Sequence, residues 1–412
     1  MLFYYIFDHE FIEAAIHIII KRPFVSSVAL FYTGYPPRKY FLCMNIAHYS
    51  YDNVNNPRCG GGGAYHELMI HKLLARNHTI TFYNGYYKGA KSFSESGIRF
   101  SFLGFGASYL LSRISFSFYA TIHSFFVKAD IIVIGYSVFS PVLAFLFRRK
   151  RTILEFYHMT GKEPFRKYSI FGVLPWIAER CALVFGKQYL TLTDSMAEYI
   201  KTSYPKKITR AVYTGYDITI NSAKEYDDNY ILCFGRIDIH MKGIDILIDA
   251  FEKIASSFTQ HSLKIAGRGS DKDISWLEKR IKNSVFQDRI IHKKNVSEEE
   301  KHSLFHHATF VCMPSRFEGW NISAVEAAAS SKATIGTQIM GLRDSIRHNE
   351  TGILVPPEDS NALADTMKLL LSDASLRERL GKKGFQWAQN FTWEKVASVQ
   401  EEFYYRVLQR IS

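Results

Sequence analysis

The amino-acid sequence predicts an α/β fold of two domains, each an alternation of strands and helices around a parallel sheet. Its 412 residues are too many for one ordinary core and suit two domains of similar size. In the second half, apolar runs at 231–234, 263–266 and 290–292 alternate with helical patterns at 243–255, 274–282 and 298–307. Such alternation demands parallel strands joined by crossover helices. Residues 310–329 repeat the unit: an apolar run closing at Pro314, a polar turn over 315–321, then an Ala-rich stretch of strong helix formers.

Residues 1–38 are aromatic and apolar and have no place in that alternation. Two readings stand: a natural start at Met44, with the preceding residues outside the working protein, or a membrane-facing extension. The first strand is expected at 40–47. Cys59, Gly60, Gly61, Gly62 and Gly63 close the next loop, ahead of a helix at 64–76 and a strand at 79–83. Glycine there lets the backbone approach a phosphate or sugar closely, and a merely flexible loop is the plain alternative. A dinucleotide-binding Gly-x-Gly-x-x-Gly is excluded. Its third glycine would fall on Tyr65 or His66, and the second strand ends in Tyr83 and Asn84 with no acidic residue for a ribose.

Residues 92–128 are rich in Phe, Tyr, Ser and Arg, with Leu110, Leu111, Arg113, Phe116, Phe118 and Tyr119 on an apolar helical face interleaved with cations. That face suits either a bilayer surface carrying a lipid-linked acceptor or the core of the domain. Strands at 130–135 and 152–157 flank a helix at 141–148. His158 then falls just past a strand end, the edge where ligands bind in open α/β sheets, although a capping or core histidine fits the same position. A helix at 176–185, a strand at 189–192 and a helix from Met196 complete the first half, and the polar stretch 222–229 is the linker. From Phe391 onward one amphipathic helix presents Val396, Val399, Phe403 and Val407 on one face.

The 51 Lys plus Arg against 39 Asp plus Glu, net +12, favour anionic partners such as nucleotides, acidic lipid surfaces or nucleic acid. The five cysteines, Cys43, Cys59, Cys181, Cys233 and Cys312, are odd in number and form no Cys-x-x-Cys pair. They fit a reducing cytoplasm and argue against structural zinc. Asp8, His9, Glu10 and Glu13 interrupt the apolar N-terminus, which is not a clean signal peptide. The uncharged stretch 131–147 is about as long as the shortest spanning helices, roughly 17 residues. Gly135, Ser137, Ser140 and Pro141 nevertheless break it as a strand passing into a helix does.

The chemistry gathers on two strand-to-helix loops. Glu318 in the 315–321 turn and Glu326 on the following helix stand eight residues apart, a little over two helical turns, so both carboxylates can face one crevice. The turn residues Gly319, Trp320 and Asn321 lead into the helix N-terminus, whose free N–H groups and partial positive charge suit a pyrophosphate, while a carboxylate accepts two hydrogen bonds from a vicinal diol. Acidic residues near a helix start also favour the macrodipole whatever the function. Upstream, Arg236 and Lys242 put two cations on the loop after the 231–234 strand, again suited to a diphosphate.

Gly235-Arg236, Lys242-Gly243, the Glu318 and Glu326 pair, and Thr351-Gly-Ile-Leu-Val-Pro, in that order over residues 230–357, resemble the retaining nucleotide-sugar glycosyltransferases of family four. The resemblance implies a GT-B fold, two Rossmann-like domains facing each other across a cleft. Residues 39–224 would bind the acceptor, 225–390 the nucleotide sugar, and 391–412 would cross back as a helix, with 1–38 an extension of uncertain role. It further implies that Glu318 contacts the transferred sugar, Glu326 holds the ribose hydroxyls, and Arg236 and Lys242 neutralise the departing diphosphate. His158 would lie beside the anomeric carbon, Gly61, Gly62 and Gly63 opposite the sugar donor, Gly267 beside the nucleotide, and Val296 against the base. No metal or cofactor is expected. The implied partners are a nucleotide-diphosphate sugar, a glycan or lipid-linked acceptor and the cytoplasmic membrane face, without nucleic acid. Thr214 stands where the family has Asn, and Ser330-Ser331-Lys332-Ala333 departs from its usual Gly and Pro. The alternative is an inactive nucleotide-sugar-binding subunit or a sugar-nucleotide epimerase on the same fold.

Overall fold

The structure, a computed structural model, describes residues 43–56, 62–106, 108–141, 144, 150–159, 161, 172–218 and 227–410. The extension at 1–38, Gly61, most of the helix expected at 141–148 and residues 222–226 of the linker lie outside the described residues.

Strands β1 (Asn45–Ser50), β2 (Thr79–Gly85), β3 (Phe93–Glu95), β4 (Ile98–Leu103), β5 (Ile131–Gly135), β6 (Thr152–Phe156), β7 (Gln188–Thr191) and β8 (Ile208–Ala211) form one sheet in the order β3-β4-β2-β1-β5-β6-β7-β8. Strands β9 (Tyr230–Phe234), β10 (Ser262–Ala266), β11 (Ile290–Lys293), β12 (Phe310–Met313), β13 (Thr334–Thr337) and β14 (Gly352–Val355) form a second, in the order β11-β10-β9-β12-β13-β14. Among the described residues every pairing is parallel except that of β3 with β4. Helices α1 (Gly62–Leu74), α2 (Tyr109–Phe126), α3 (Val173–Phe185) and α4 (Asp194–Ser203) accompany the first sheet. The second has α5 (Ile239–Lys242), α6 (Ile244–Ala255), α7 (Asp271–Lys282), α8 (Glu298–His307), α9 (Ile322–Ala329), α10 (Leu342–Ser345), α11 (Ser360–Ser372) and α12 (Ala374–Ala388), and α13 (Trp393–Gln409) closes the chain.

Successive strand residues point to opposite faces, which divides the first core in two. Ile46, Ile131 and Val133 pack with Ile70 of α1 and Phe403 and Val407 of α13. Ala47, Ile132 and Ile134 pack on the other face with Phe116 of α2, Leu183 of α3 and Ile200 of α4. Helix α13 follows the helices of the second half yet buries its apolar stripe on the first sheet, as the crossover expectation requires.

The structure corrects several expectations. The first strand is Asn45–Ser50 rather than 40–47, with His48 and Ser50 buried because β2 and β5 pair with it on both sides. Residues 93–103, expected as part of a helical face, are the β3–β4 hairpin. Strand β8 was not legible in its half-polar sequence Ile-Thr-Arg-Ala. Gly62 and Gly63 belong to the first turn of α1, not to the loop before it. The start of the 131–147 stretch is the fully buried central strand β5. No helix among the described residues is long and apolar enough to cross a membrane.

Candidate functional site

Three loops leave the carboxyl ends of strands and meet at one edge, the place where open parallel sheets bind ligands. The β9 loop passes through Gly235 and Arg236 to the short α5 with Lys242, and α5 is capped by Asp238, whose side chain accepts from the Met241 N–H. The β12 loop runs from Ser315 to Asn321, whose side chain caps α9 by accepting from the Ala324 N–H at 2.9 Å. The β6 loop carries Tyr157 and His158.

Glu318 is where the first two loops join. Its Oε1 accepts from Lys242 Nζ at 2.5 Å, Ser315 Oγ at 2.8 Å and Asn321 Nδ2 at 2.9 Å. Three donors on one oxygen, one of them cationic, fix the carboxylate while its second oxygen accepts none among the described residues. Arg236 lines the same pocket as Lys242 and Ser315, 67% exposed and 3.7 Å from Asp238, and so open to an incoming anion. Gly267 is needed beside it: its backbone sits at φ +148°, and a Cβ there would lie 1.8 Å from the Gly235 carbonyl oxygen.

The β12 loop also reaches the first half of the chain. A Cβ on Gly319 would come within 2.2 Å of the Tyr157 carbonyl oxygen, so only glycine allows the loops to touch. The His158 ring stands edge-on to Phe317, 6.1 Å between centroids. His158 is exposed to the cleft, yet the protein around it holds its imidazole below the ordinary value, with Glu179 pulling the other way. Gly63 faces the Tyr157 ring. Trp320 turns away, packing on Tyr213 and Phe391, so its side chain is part of a core. Val296 packs against the buried cluster that includes Leu304 and Phe305.

Glu326 lies apart from Glu318 in a network of its own. It is 4% exposed on α9 and accepts from Lys301 Nζ at 3.0 Å. Burial pushes its carboxyl up to about 7, against the pull of Lys301. Nearby, Asp217 accepts from Tyr65 of α1 at 2.9 Å and from Trp393 of α13 at 2.7 Å.

Sequence reasoning missed a second buried group. His48, Glu67 and Glu155 each offer one ligand-type atom within 4.8 Å of the others, and no other such set occurs among the described residues. The Tyr157 hydroxyl stands between the carboxyls, 2.5 Å from Glu67 Oε1 and 2.8 Å from Glu155 Oε2. A hydroxyl has one proton to donate, so two short contacts require one carboxyl to be protonated. Glu155 is that carboxyl, since burial pushes it up to about 7. On the far side His48 lies 3.3 Å from Glu67, and although burial works against its charge, Glu67 raises its pKa above the ordinary value. The Tyr157 hydroxyl thus links the two carboxyls, whereas His48 Nε2 and Glu67 Oε2 meet as an ion pair without hydrogen-bond geometry. The cluster's only signal in the sequence is His158 beside it; Lys301, on a charged helix, has none.

Two parallel sheets meeting at their carboxyl edges, with a terminal helix crossing back, are the GT-B arrangement. The structure superimposes on sucrose-phosphate synthase from Thermosynechococcus elongatus with a TM-score of 0.72 at 20% identity, over 90% of this chain and 100% of the other. Residues 217–387 match the family described as glycosyl transferases group 1. It is similar to an uncharacterized glycosyltransferase of Methanocaldococcus jannaschii, 31% identical over 53% of this chain and 62% of the relative. It is also similar to the D-inositol 3-phosphate glycosyltransferase of Jonesia denitrificans, 30% identical over 58% of this chain and 60% of the relative. The chain thus spans about three fifths of the length of these relatives.

Proposed function

We propose that the protein is a retaining glycosyltransferase that moves a sugar from a nucleotide diphosphate to a glycan or lipid-linked acceptor, in the synthesis of a bacterial surface polysaccharide. The observation that carries this is the convergence of Lys242, Ser315 and Asn321 on Glu318, with Arg236 in the same pocket, at the end of β9 and the head of α9. Lys242, Arg236 and the first turn of α9 stabilise the diphosphate as negative charge develops on it. That electrostatic role is the one a divalent ion fills in other transferases, so the reading is metal-independent. Glu318 holds the hydroxyls of the transferred sugar, Glu326 the ribose, and His158 stands beside the anomeric carbon. The acceptor attacks on the face the phosphate leaves, and a phosphate oxygen takes its proton. Residues 39–224 and 225–390 form the acceptor and donor domains in this reading.

We place the protein at the cytoplasmic membrane face. Supporting this, α2 turns Leu110, Leu111, Ile114, Phe118, Ile122 and Phe126 to solvent, where isolated apolar residues are ordinary but a contiguous face is not. Between Gly97 and Ala129 the chain has no acidic residue, and the exposed Arg99 and Lys128 complement an anionic bilayer, while Arg113 is taken up by Asp52.

Lys242→Ala and Glu318→Ala test the transfer. Each should lower turnover about 100- to 1000-fold with UDP-, GDP-, ADP- or dTDP-sugars, with the fold retained by circular dichroism. Near-normal turnover in both would refute the assigned roles.

A further inference from the structure

Lys301 lies in the first half of α8, on a helix whose sequence Glu-Glu-Glu-Lys-His-Ser reads as solvated. The structure buries it instead, 8% exposed, with Nζ 3.0 Å from Glu326 Oε1 and 2.6 Å from Glu298 Oε2. A lysine is seldom so buried unless paired. The capping box formed by Ser297 and Glu300 fixes the start of α8, and with it the direction of the Lys301 stem. Val296, the residue expected at the base, immediately precedes that box.

We infer that Lys301 is a positioning residue of the sugar-nucleotide site, clamping the Glu326 carboxylate in the orientation that meets the ribose hydroxyls. The inference rests on the reading of Glu326 above and adds a residue to it. Each carboxylate oxygen accepts about two hydrogen bonds, so a lysine bond to Oε1 leaves capacity for both hydroxyls. Lys301 also favours the charged form. Glu298 of the same helix and Asp217 after β8 both push the Glu326 carboxyl up, as burial does; Tyr65 of α1 is neutral, and Lys301 alone opposes them. Burial also disfavours the Lys301 ammonium, but Glu326 and Glu298 outweigh it and hold its pKa above the ordinary value. Without Lys301 the carboxyl rises further, so more of it is protonated at neutral pH and an acceptor site for the diol is lost.

The test is calorimetric titration of the full chain with whichever of UDP, GDP or ADP binds it, and with the 2′-deoxy form of that nucleotide, from pH 6 to 8. Lys301→Met should weaken binding at least about 10-fold at pH 7, weaken it further toward pH 6, and abolish the preference for ribose over deoxyribose. Lys301→Arg should restore most of the affinity. Lys301→Gln keeps a donor without the charge and carries the same prediction if the methionine variant does not fold. Glu326→Gln separates the two layers of the argument. If it leaves the ribose preference intact, the reading of Glu326 fails. If it abolishes the preference while Lys301→Met and Lys301→Gln keep the wild-type affinity, pH profile and preference, the inference about Lys301 alone is overturned.

Discussion

Glu155 shows how a single buried proton ties stability to pH. Its carboxyl is pushed up to about 7 by burial, above the value of about 4.3 for an exposed glutamate. Between those values the folded chain holds a proton that the unfolded chain releases, so its stabilising effect is full at low pH and is lost as pH rises toward 7. Glu326, raised for the same reason, and His48, held above its ordinary value, act with the same sign. Glu155→Gln is permanently neutral and can donate to the Tyr157 oxygen as the protonated acid does. Urea midpoints measured from pH 5 to 8 should therefore fall more steeply in the wild type than in the variant, and parallel curves would remove Glu155 from the account. None of this was visible in the sequence, where Glu155 is one acidic residue in the apolar run Thr-Ile-Leu-Glu-Phe.

Among the elements, α2 and α13 present opposite cases. The spacing of Val396, Phe403 and Val407 correctly marks one buried face on α13, with Trp393 also packed against Gly215 and bonded to Asp217. The same kind of pattern on α2 left core and bilayer equally open, and the structure divides the helix between solvent and core. Phe116 and Ala120 face the sheet, whereas Phe118 is 62% and Phe126 78% exposed. Burying such side chains is worth about 25 cal/mol per Å² of apolar area. The protein should consequently float with vesicles of phosphatidylcholine containing phosphatidylglycerol and less with phosphatidylcholine alone. Phe118→Glu with Ile122→Glu should cut that recovery about 10-fold at unchanged thermal stability; equal recovery would exclude α2 as the contact. Strands β3 and β4 were hidden in the same aromatic region, because a stretch dense in Phe and Ser satisfies helical and strand periods at once.

Across the whole molecule, specific groups join the two halves. Gly319 meets the Tyr157 carbonyl, Ser195 Oγ donates to Asp344 at 2.8 Å, and Trp320 packs on Tyr213. Gly319→Ala inserts a methyl where the carbonyl already sits, which forces the Glu318 loop away from His158. Turnover should drop at least about 10-fold while stability falls by only about 1–3 kcal/mol. Wild-type turnover together with wild-type urea stability would show that the contact is dispensable. The alternation of apolar runs with helical stretches, the Asn321 cap and the eight-residue separation of Glu318 from Glu326 were legible because each is set by neighbours within a few turns of chain. Which residues those carboxylates meet was not. Lys242 is 76 residues from Glu318, Lys301 is 25 from Glu326, and Tyr157 is 90 from Glu67. Local periodicity determines what each element is and which face it buries; the packing of layers from distant parts of the chain decides which side chains share a pocket, and with them the charge and proton each one holds.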